Sequence, residues 1–416
     1  MLKRACLLFV TLSYAIFAAD LGTVENPLTI DNENDLVLLR NAVNAGSGTF
    51  KGFDVSNGAT DLYFKLSRDL DLSSVCGKDV GNWTPIGTME HPFKGSFDGN
   101  GKTIDYLYID EQLPERTDTA SAYYGLFGVM QTEISSNTEI KNLTIGENSS
   151  IYTQRDGQIG AVVGYAGFNV VIDNCKNKGR VHGRLVAGGI VGFVANVPLP
   201  DGVRIKNCVN EGYVDAMLKA GGIVGAVNGF GVHIDSCTNL GSVSASDTAA
   251  GIVAVIYNAA GTSAKLNYLI NKGYVSSGKI SGGIVAVAGE GSFNITNAFN
   301  AGYVQASTSA AGIVGQLKSA YAQDVLMCVN VGDVFAGTNA GGIVGLSNGH
   351  FPAKISQTLN LGVINAGAYA GGIVGNNNSV YFYADHNMNA GAVGFGYAGG
   401  IAGRVGDVTS EEVFAN

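Results

Sequence analysis

A block resembling A-G-G-I-V-G returns nine times in this chain, and no other feature restricts the fold as strongly. It reads GAVVG at 160–164, GGIVG at 188–192 and 221–225, and AGIVA at 250–254. It continues as GGIVA at 282, AGIVG at 311, GGIVG at 341 and 371, and GGIAG at 399, in steps of 28 to 33 residues. A second marker, N-x-G-x-[VI], keeps the same period at Asn177, Asn210, Asn239, Asn271, Asn300, Asn330, Asn360 and Asn389. Two markers in phase at about 30 residues predict a stacked array in which each unit covers its neighbour's apolar face.

Helical solenoids also have periods near this one, so the contents of the unit decide. Glycine supplies 60 of 416 residues, and a glycine costs roughly 1 kcal/mol in a helix interior. With two or three glycines per unit, and β-branched residues between them, the unit predicts three short strands. The fold class expected is all-β: a parallel β-solenoid. Collagen is excluded by only 7 prolines and no three-residue glycine period. Disorder is excluded by 46% apolar residues concentrated in the repeating segments.

Register assigns side chains. Asparagine tolerates positive φ, and its amide can bond along a stack of identical side chains. The eight marker asparagines are therefore expected to form a structural ladder at an interior or corner position. Two residues upstream stand Cys175, Cys208, Cys237, Leu269, Ala298, Cys328 and Thr358, mostly small or apolar, so this column should point inward. Four residues upstream, Asp173, Lys206 and Asp235 alternate in sign and predict an exposed charge ladder. Cys175, Cys208 and Cys237 fall on consecutive rungs about 4.8 Å apart. That spacing is inside the disulfide range, but side chains stacked in register point the same way and suit free buried thiols better. No C-x-x-C occurs, and no metal or cofactor is expected.

Lys3 and Arg4, an apolar run from Ala5 to Phe17, then Ala18, Ala19 and Asp20 have the layout of a secretory signal peptide over 1–19. An uncleaved anchor is the alternative, although thirteen apolar residues are short for a span. Cleavage takes the net charge from −9 to −11. The mature chain then has no transmembrane segment, no basic footprint for nucleic acid, and a secreted or cell-surface location.

Residues 20–120 differ in texture and are expected to form an N-terminal cap with the first rungs, ahead of repeats at 121–405 and a tail at 406–416. Within the cap, DNENDLVLLRNAVNAG at 31–46 predicts a short helix, with Asn32 as its cap, Leu36, Leu39 and Val43 on its apolar side and Gly46 as its stop. The segments WTPIG at 83–87, PFKGSFDGNGKTI at 92–104 and GLFG at 125–128, with the GGIVG blocks, resemble the GLUG-motif family. Its repeats occur in bacterial secreted and surface proteins, including IgA-cleaving metallopeptidases and adhesin-like proteins. The resemblance spans about residues 28–405 and implies a right-handed β-solenoid capped by the N-terminal segment and serving as an accessory or surface-display module. The zinc-peptidase H-E-x-x-H is absent, so that activity is not carried over. The expectation is also that the chain ends at DVTSEEVFAN without a catalytic or anchoring domain.

Several catalytic patterns fail on context. Gly345-Leu346-Ser347-Asn348-Gly349 matches G-x-S-x-G, but a nucleophile elbow needs a following helix and partner Asp and His. Asp69, Asp71 and Ser73 imitate a calcium loop whose twelfth position would be Val80 rather than glutamate. His91, His182, His233, His350 and His386 occupy unrelated registers.

Two function classes remain. The first is a non-catalytic extracellular binding or structural module, adhesin-like, with a glycan or protein as partner. The second is a polysaccharide-active β-helix enzyme, for which the best local concentration is Arg180, His182, Arg184, Arg204, Lys206 and Asp215. No catalytic residue is assigned. If a ligand binds, the expected place is the column three residues after each marker asparagine, which holds Tyr213, Tyr274 and Tyr303. The next residue is always Val or Ile, so strand alternation turns that column outward.

Overall fold

The computed structural model describes residues 21–111, 122–132, 138–195, 202–257, 263–289, 291–318, 323–349, 353–379 and 382–405. The leader at 1–19, the tail at 406–416 and His350 lie outside the described residues. The chain is a parallel β-solenoid, and its unit is five short strands rather than three. One turn runs through Val170–Asp173, Lys176–Asn177, Arg180–Gly183, Val186–Gly188 and Val191–Val194. We number the walls they build one to five. The extra strands arise because N-x-G keeps a two-residue strand of its own between two corners, and the glycine pair of GGIVG breaks what reads as one apolar run.

Each wall pairs in register with the next turn. Ile172 lies opposite Ile205, Asn177 opposite Asn210, Val181 opposite Val214 and Val191 opposite Val224. The first wall gathers 12 strands and the others 10 or 11. Inward columns of Val and Ile are buried up to the last described turn, where Val393 and Ile401 are partly exposed, and the GGIVG isoleucines Ile190, Ile223, Ile252, Ile284, Ile313, Ile343 and Ile373 are fully buried. Each such side chain contributes roughly 1.5–3 kcal/mol on burial.

The two repeat markers touch each other. A Cβ on Gly283 would lie 2.0 Å from the Gly312 carbonyl oxygen and 2.5 Å from Cγ of Asn300, one turn on. The same holds for Gly222 against Asn239 and Gly342 against Asn360. The glycine pair is thus the space in which the asparagine ladder runs. Along that ladder Nδ2 donates to the next Oδ1 at 2.7–2.9 Å, from Asn177 to Asn389. Each Nδ2 also donates to the carbonyl two residues on, as Asn271 does to Gly273 at 3.0 Å. Seven of the eight amides are fully buried, and Asn389, on the last described turn, is half-buried.

A second corner ladder joins walls one and two. Asn142, Asn174, Asn207, Ser236, Tyr268, Asn297, Met327, Gln357 and His386 all sit at φ between 50° and 57°, the left-handed region that asparagine tolerates best.

At the N-terminal end the helix Glu33–Asn44 forms as expected. Asn32 accepts from the Asp35 backbone N–H, and Leu36, Leu39 and Val43 are buried. Leu28–Ile30, Tyr63–Leu66 and Ser96–Asp98 are themselves the first three strands of wall one. Phe50, Phe64, Phe93, Phe127 and Phe97 pack ring to ring beneath the helix end of the array, with centroids 5.0–6.1 Å apart. Removing residues 20–120 would take away four of these rings and uncover Phe127 and the strand edges of the next turn, so the product 121–416 is expected to aggregate. A soluble, monomeric, β-rich product in size-exclusion chromatography and circular dichroism would contradict this role.

Cys76, Cys175, Cys208, Cys237 and Cys328 are free and buried. Burial raises the thiols of Cys175 and Cys237 and pushes Cys328 up to about 12. A protonated, enclosed thiol is a small apolar side chain, not a nucleophile. Thiol-labelling reagents are therefore expected to modify none of the five in the folded protein. Melting with and without reductant and chelator should agree. A drop beyond about 10 °C on reduction would mean that a disulfide carries stability, since 1 kcal/mol shifts a large domain by only a few degrees.

Candidate functional site

The third wall carries the most chemistry that faces solvent. Its strands alternate, so the Val and Ile at 181, 214, 243, 275, 304, 334 and 364 point inward and the residues on either side point out. One outward column is the expected one. Tyr213, Tyr274 and Tyr303 are 40%, 41% and 40% exposed. Tyr274 and Tyr303 lie on adjacent turns with centroids 5.8 Å apart and planes 6° from parallel. Parallel rings in contact at about 3.5 Å with that centroid distance are slipped past one another like shingles. Each leaves part of a face open instead of presenting a flat platform. Burial, then Tyr274, raises the Tyr303 phenol, so it remains a hydrogen-bond donor. Tyr213 stands apart from this pair beneath the Arg180 guanidinium, 5.3 Å from its ring centroid.

The neighbouring outward column lies two residues on, and of its members only His182 and Asp215 stand out in the sequence. It runs Tyr152, His182, Asp215, Ser244, Ser276, Gln305, Phe335 and Asn365 in continuous register. The Tyr152 and His182 rings stack at 4.4 Å and 11°. His182 Nδ1 contacts a carboxylate oxygen of Asp215, whose other oxygen lies 3.5 Å from Arg180. A pocket of about 220 Å³ opens beside them, lined by Tyr108, Asp110, Ser150, Tyr152, Arg180 and His182. The two columns are cross-linked: the Tyr213 hydroxyl and Ser244 Oγ are 2.8 Å apart, and Gln305 Nε2 donates to the Tyr274 hydroxyl and to Ser276 Oγ at 3.1 Å.

The basic concentration read from the sequence does not converge. Arg180, His182 and Asp215 share wall three, but Arg204 and Lys206 belong to wall one, where Lys206 pairs with Asp173 at 3.0 Å. Arg184 turns to Asp156 at 2.8 Å. Ser347 is fully buried against Ser379, with the two Oγ atoms 2.6 Å apart, and cannot reach a substrate. Asp71 caps a short 3₁₀ turn at the Ser73 N–H, and Asp69 accepts from the Thr103 N–H at 2.7 Å, so both carboxylates have backbone partners. Among the described residues, no three His, Cys, Asp or Glu side chains converge as metal ligands.

No protein-family profile matches the chain. It is 29% identical over 150 residues to a "Putative Gly-rich membrane protein" of Evansella cellulosilytica, a match covering 36% of this chain and 14% of that one. It is 30% identical over 187 residues to halomucin of Haloquadratum walsbyi, covering 45% of this chain and 2% of the other. The chain thus spans a small part of either relative. In fold it is similar to the crystal structure of a "putative immunoglobulin A1 protease" from Bacteroides ovatus, with TM-score 0.51 and 22% identity over 71% of this chain and 79% of that one. At that identity the likeness concerns the solenoid alone. In the described residues, no helix is long and apolar enough to cross a membrane.

Proposed function

We propose that this chain is a non-catalytic GLUG-type repeat module, secreted or displayed on the cell surface, with an adhesin-like role exercised through its third wall. The observation that carries the reading is the tyrosine column: Tyr213, Tyr274 and Tyr303 stand about two-fifths exposed on a wall whose backbone is paired on both sides. Aromatic groups held this way give large contact area at small entropic cost. The leader-like N-terminus and the similarity to segments of a Gly-rich membrane protein and of halomucin support an exterior location.

A polysaccharide-cleaving enzyme is the second reading, favoured by the Tyr152, His182, Asp215 and Arg180 contacts beside the small pocket. One pair of measurements separates the two. Protease treatment of intact cells is expected to remove the protein, and the purified chain should release no new ends from a panel of neutral and uronic polysaccharides. Depolymerisation lost in His182→Ala would establish the enzyme instead. Protection from protease in intact cells, with cleavage after lysis, would end the surface reading.

A further inference from the structure

We propose that a trough on the third wall, between Asp215 and Ser307, binds an uncharged, hydroxyl-rich polysaccharide lying along the solenoid axis. The inference rests on the reading of this wall as a binding face and specifies its ligand. The trough is shallow and open to solvent and takes in about 530 Å³. Past His182 and Asp215 at one end, its described lining carries no ionisable side chain, in a protein with 59 Asp, Glu, Lys and Arg residues. Asp247 and Lys279, just beyond the turn, neutralise each other at 2.8 Å.

Depth comes from small residues. Ala216 and Ser277 line the trough and are nearly buried, and the turn that borders it is built from Ser246, Gly278 and Ser307. A Cβ on Gly278 would meet the Ser246 carbonyl oxygen at 2.1 Å, so stacking at this corner keeps that position bare. Ser244, Ser276 and Gln305 then offer a hydroxyl, a hydroxyl and an amide on three successive rungs, about 4.8 Å apart.

This pattern selects a ligand class. Hydroxyls and amides both donate and accept, as sugar hydroxyls do, and a pyranose unit and a rung are of similar length. The tyrosine hydroxyls bonded to Ser244 and Gln305 hold the aromatic column beside the trough, with its open ring portions toward a chain running past. A polyuronate would bring a charge per sugar into a strip without counter-charges, where desolvation is uncompensated. An apolar protein patch would meet serine hydroxyls and the Gln305 amide, with Met217 the one large apolar side chain of the described lining. Phe335, 45% exposed, stands in register on the turn after Gln305 and terminates the polar strip with an aromatic ring.

The test is affinity electrophoresis of the full chain through gels containing xylan, mannan, mixed-linkage glucan, alginate or polygalacturonate, followed by titration with oligosaccharides of any retarding polymer. Retardation by at least one neutral polymer and by neither uronate is expected. Ser276→Glu and Gln305→Ala, at unchanged melting temperature, should each weaken binding about 10-fold or more, the equivalent of one or two hydrogen bonds to a neutral ligand. Retardation by no neutral polymer, equal retardation by the uronates, or full binding by both variants would overturn the proposal. A ligand that is lost in the Tyr274→Ala, Tyr303→Ala protein but kept in Ser276→Glu and Gln305→Ala would refute the trough and leave the wall reading intact. Neutral-glycan binding that depends on the trough and survives the tyrosine changes would uphold the trough and remove the tyrosine column from the contact.

Discussion

Gly283→Val is expected to leave little or no soluble, folded protein. The added Cβ would stand 2.0 Å from the Gly312 carbonyl oxygen and 2.5 Å from Asn300 Cγ. The first of these is backbone held by the neighbouring rung, and the second is a buried amide bonded on both sides. Neither can retreat without parting two turns of the solenoid. Overpacking a well-filled interior costs 1–3 kcal/mol even where side chains can shift. Here backbone must move in a 30-residue unit stacked on both faces, and the loss should be well above about 4 kcal/mol. Gly400 provides the control. It has the same place in its own motif, but among the described residues nothing lies within 4 Å of its missing Cβ. Gly400→Ala should therefore express and melt like the native protein. If Gly283→Val also folds normally by circular dichroism, the close contact between the two repeat markers is not a constraint on the fold.

Asn271→Ala is expected to destabilise by about 3–5 kcal/mol while leaving the chain folded at low temperature. The amide donates to Asn300 Oδ1 at 2.8 Å and to the Gly273 carbonyl at 3.0 Å, and accepts from Asn239 Nδ2 at 2.8 Å and the Gly273 N–H at 3.2 Å. Alanine leaves four buried polar groups short of a partner, each worth roughly 1–3 kcal/mol when orphaned, with partial relief from a water entering the space. Asn389→Ala removes only the bonds to Asn360 and within its own turn, from a half-buried site, and should cost about 1 kcal/mol. Because repeat arrays unfold as coupled neighbours, native-state hydrogen exchange is the proper readout. Amides of the turns around 239–300 should lose protection first in Asn271→Ala. Uniform loss across all turns, or none, would contradict a local ladder.

The ladder was legible because eight asparagines recur at one place in a unit otherwise free to vary, and repetition of a polar residue in an apolar setting has few structural meanings. The outward tyrosines were legible for a simpler reason: a strand has period two, and the Val or Ile beside each of them must face the core. Strand count was not legible. Gly188 and Gly189 look like part of one run with Ile190 and Val191, and only the close approach of the next turn shows that they form a corner. The left-handed ladder was obscured by its own variety. Asn174 and Asn207 before a cysteine hint at it, but Tyr268 and Met327 at the same φ do not. Such residues pay for that conformation with exposure, their side chains projecting from the corner at 57% and 45%.

Tyr152 escaped for a related reason. Tyr152 belongs to a turn without the N-x-G marker, so nothing in the sequence aligned it with His182, and the stacking that joins them appears only when the turns are superposed. Arg204 and Lys206 misled in the opposite direction. They are near Arg180 and Asp215 in sequence, but a solenoid sends residues two strands apart to different walls.

The most direct measurement compares the native protein with a Tyr274→Ala, Tyr303→Ala double variant of equal melting temperature on a broad glycan array and against purified candidate surface proteins. A third wall that serves as the contact face requires saturable binding by the native chain to some member of either set, reduced at least about 10-fold in the variant, since two exposed aromatic contacts are worth roughly 1–3 kcal/mol together. Equal binding by the two proteins would contradict a contact made through the tyrosines of that wall.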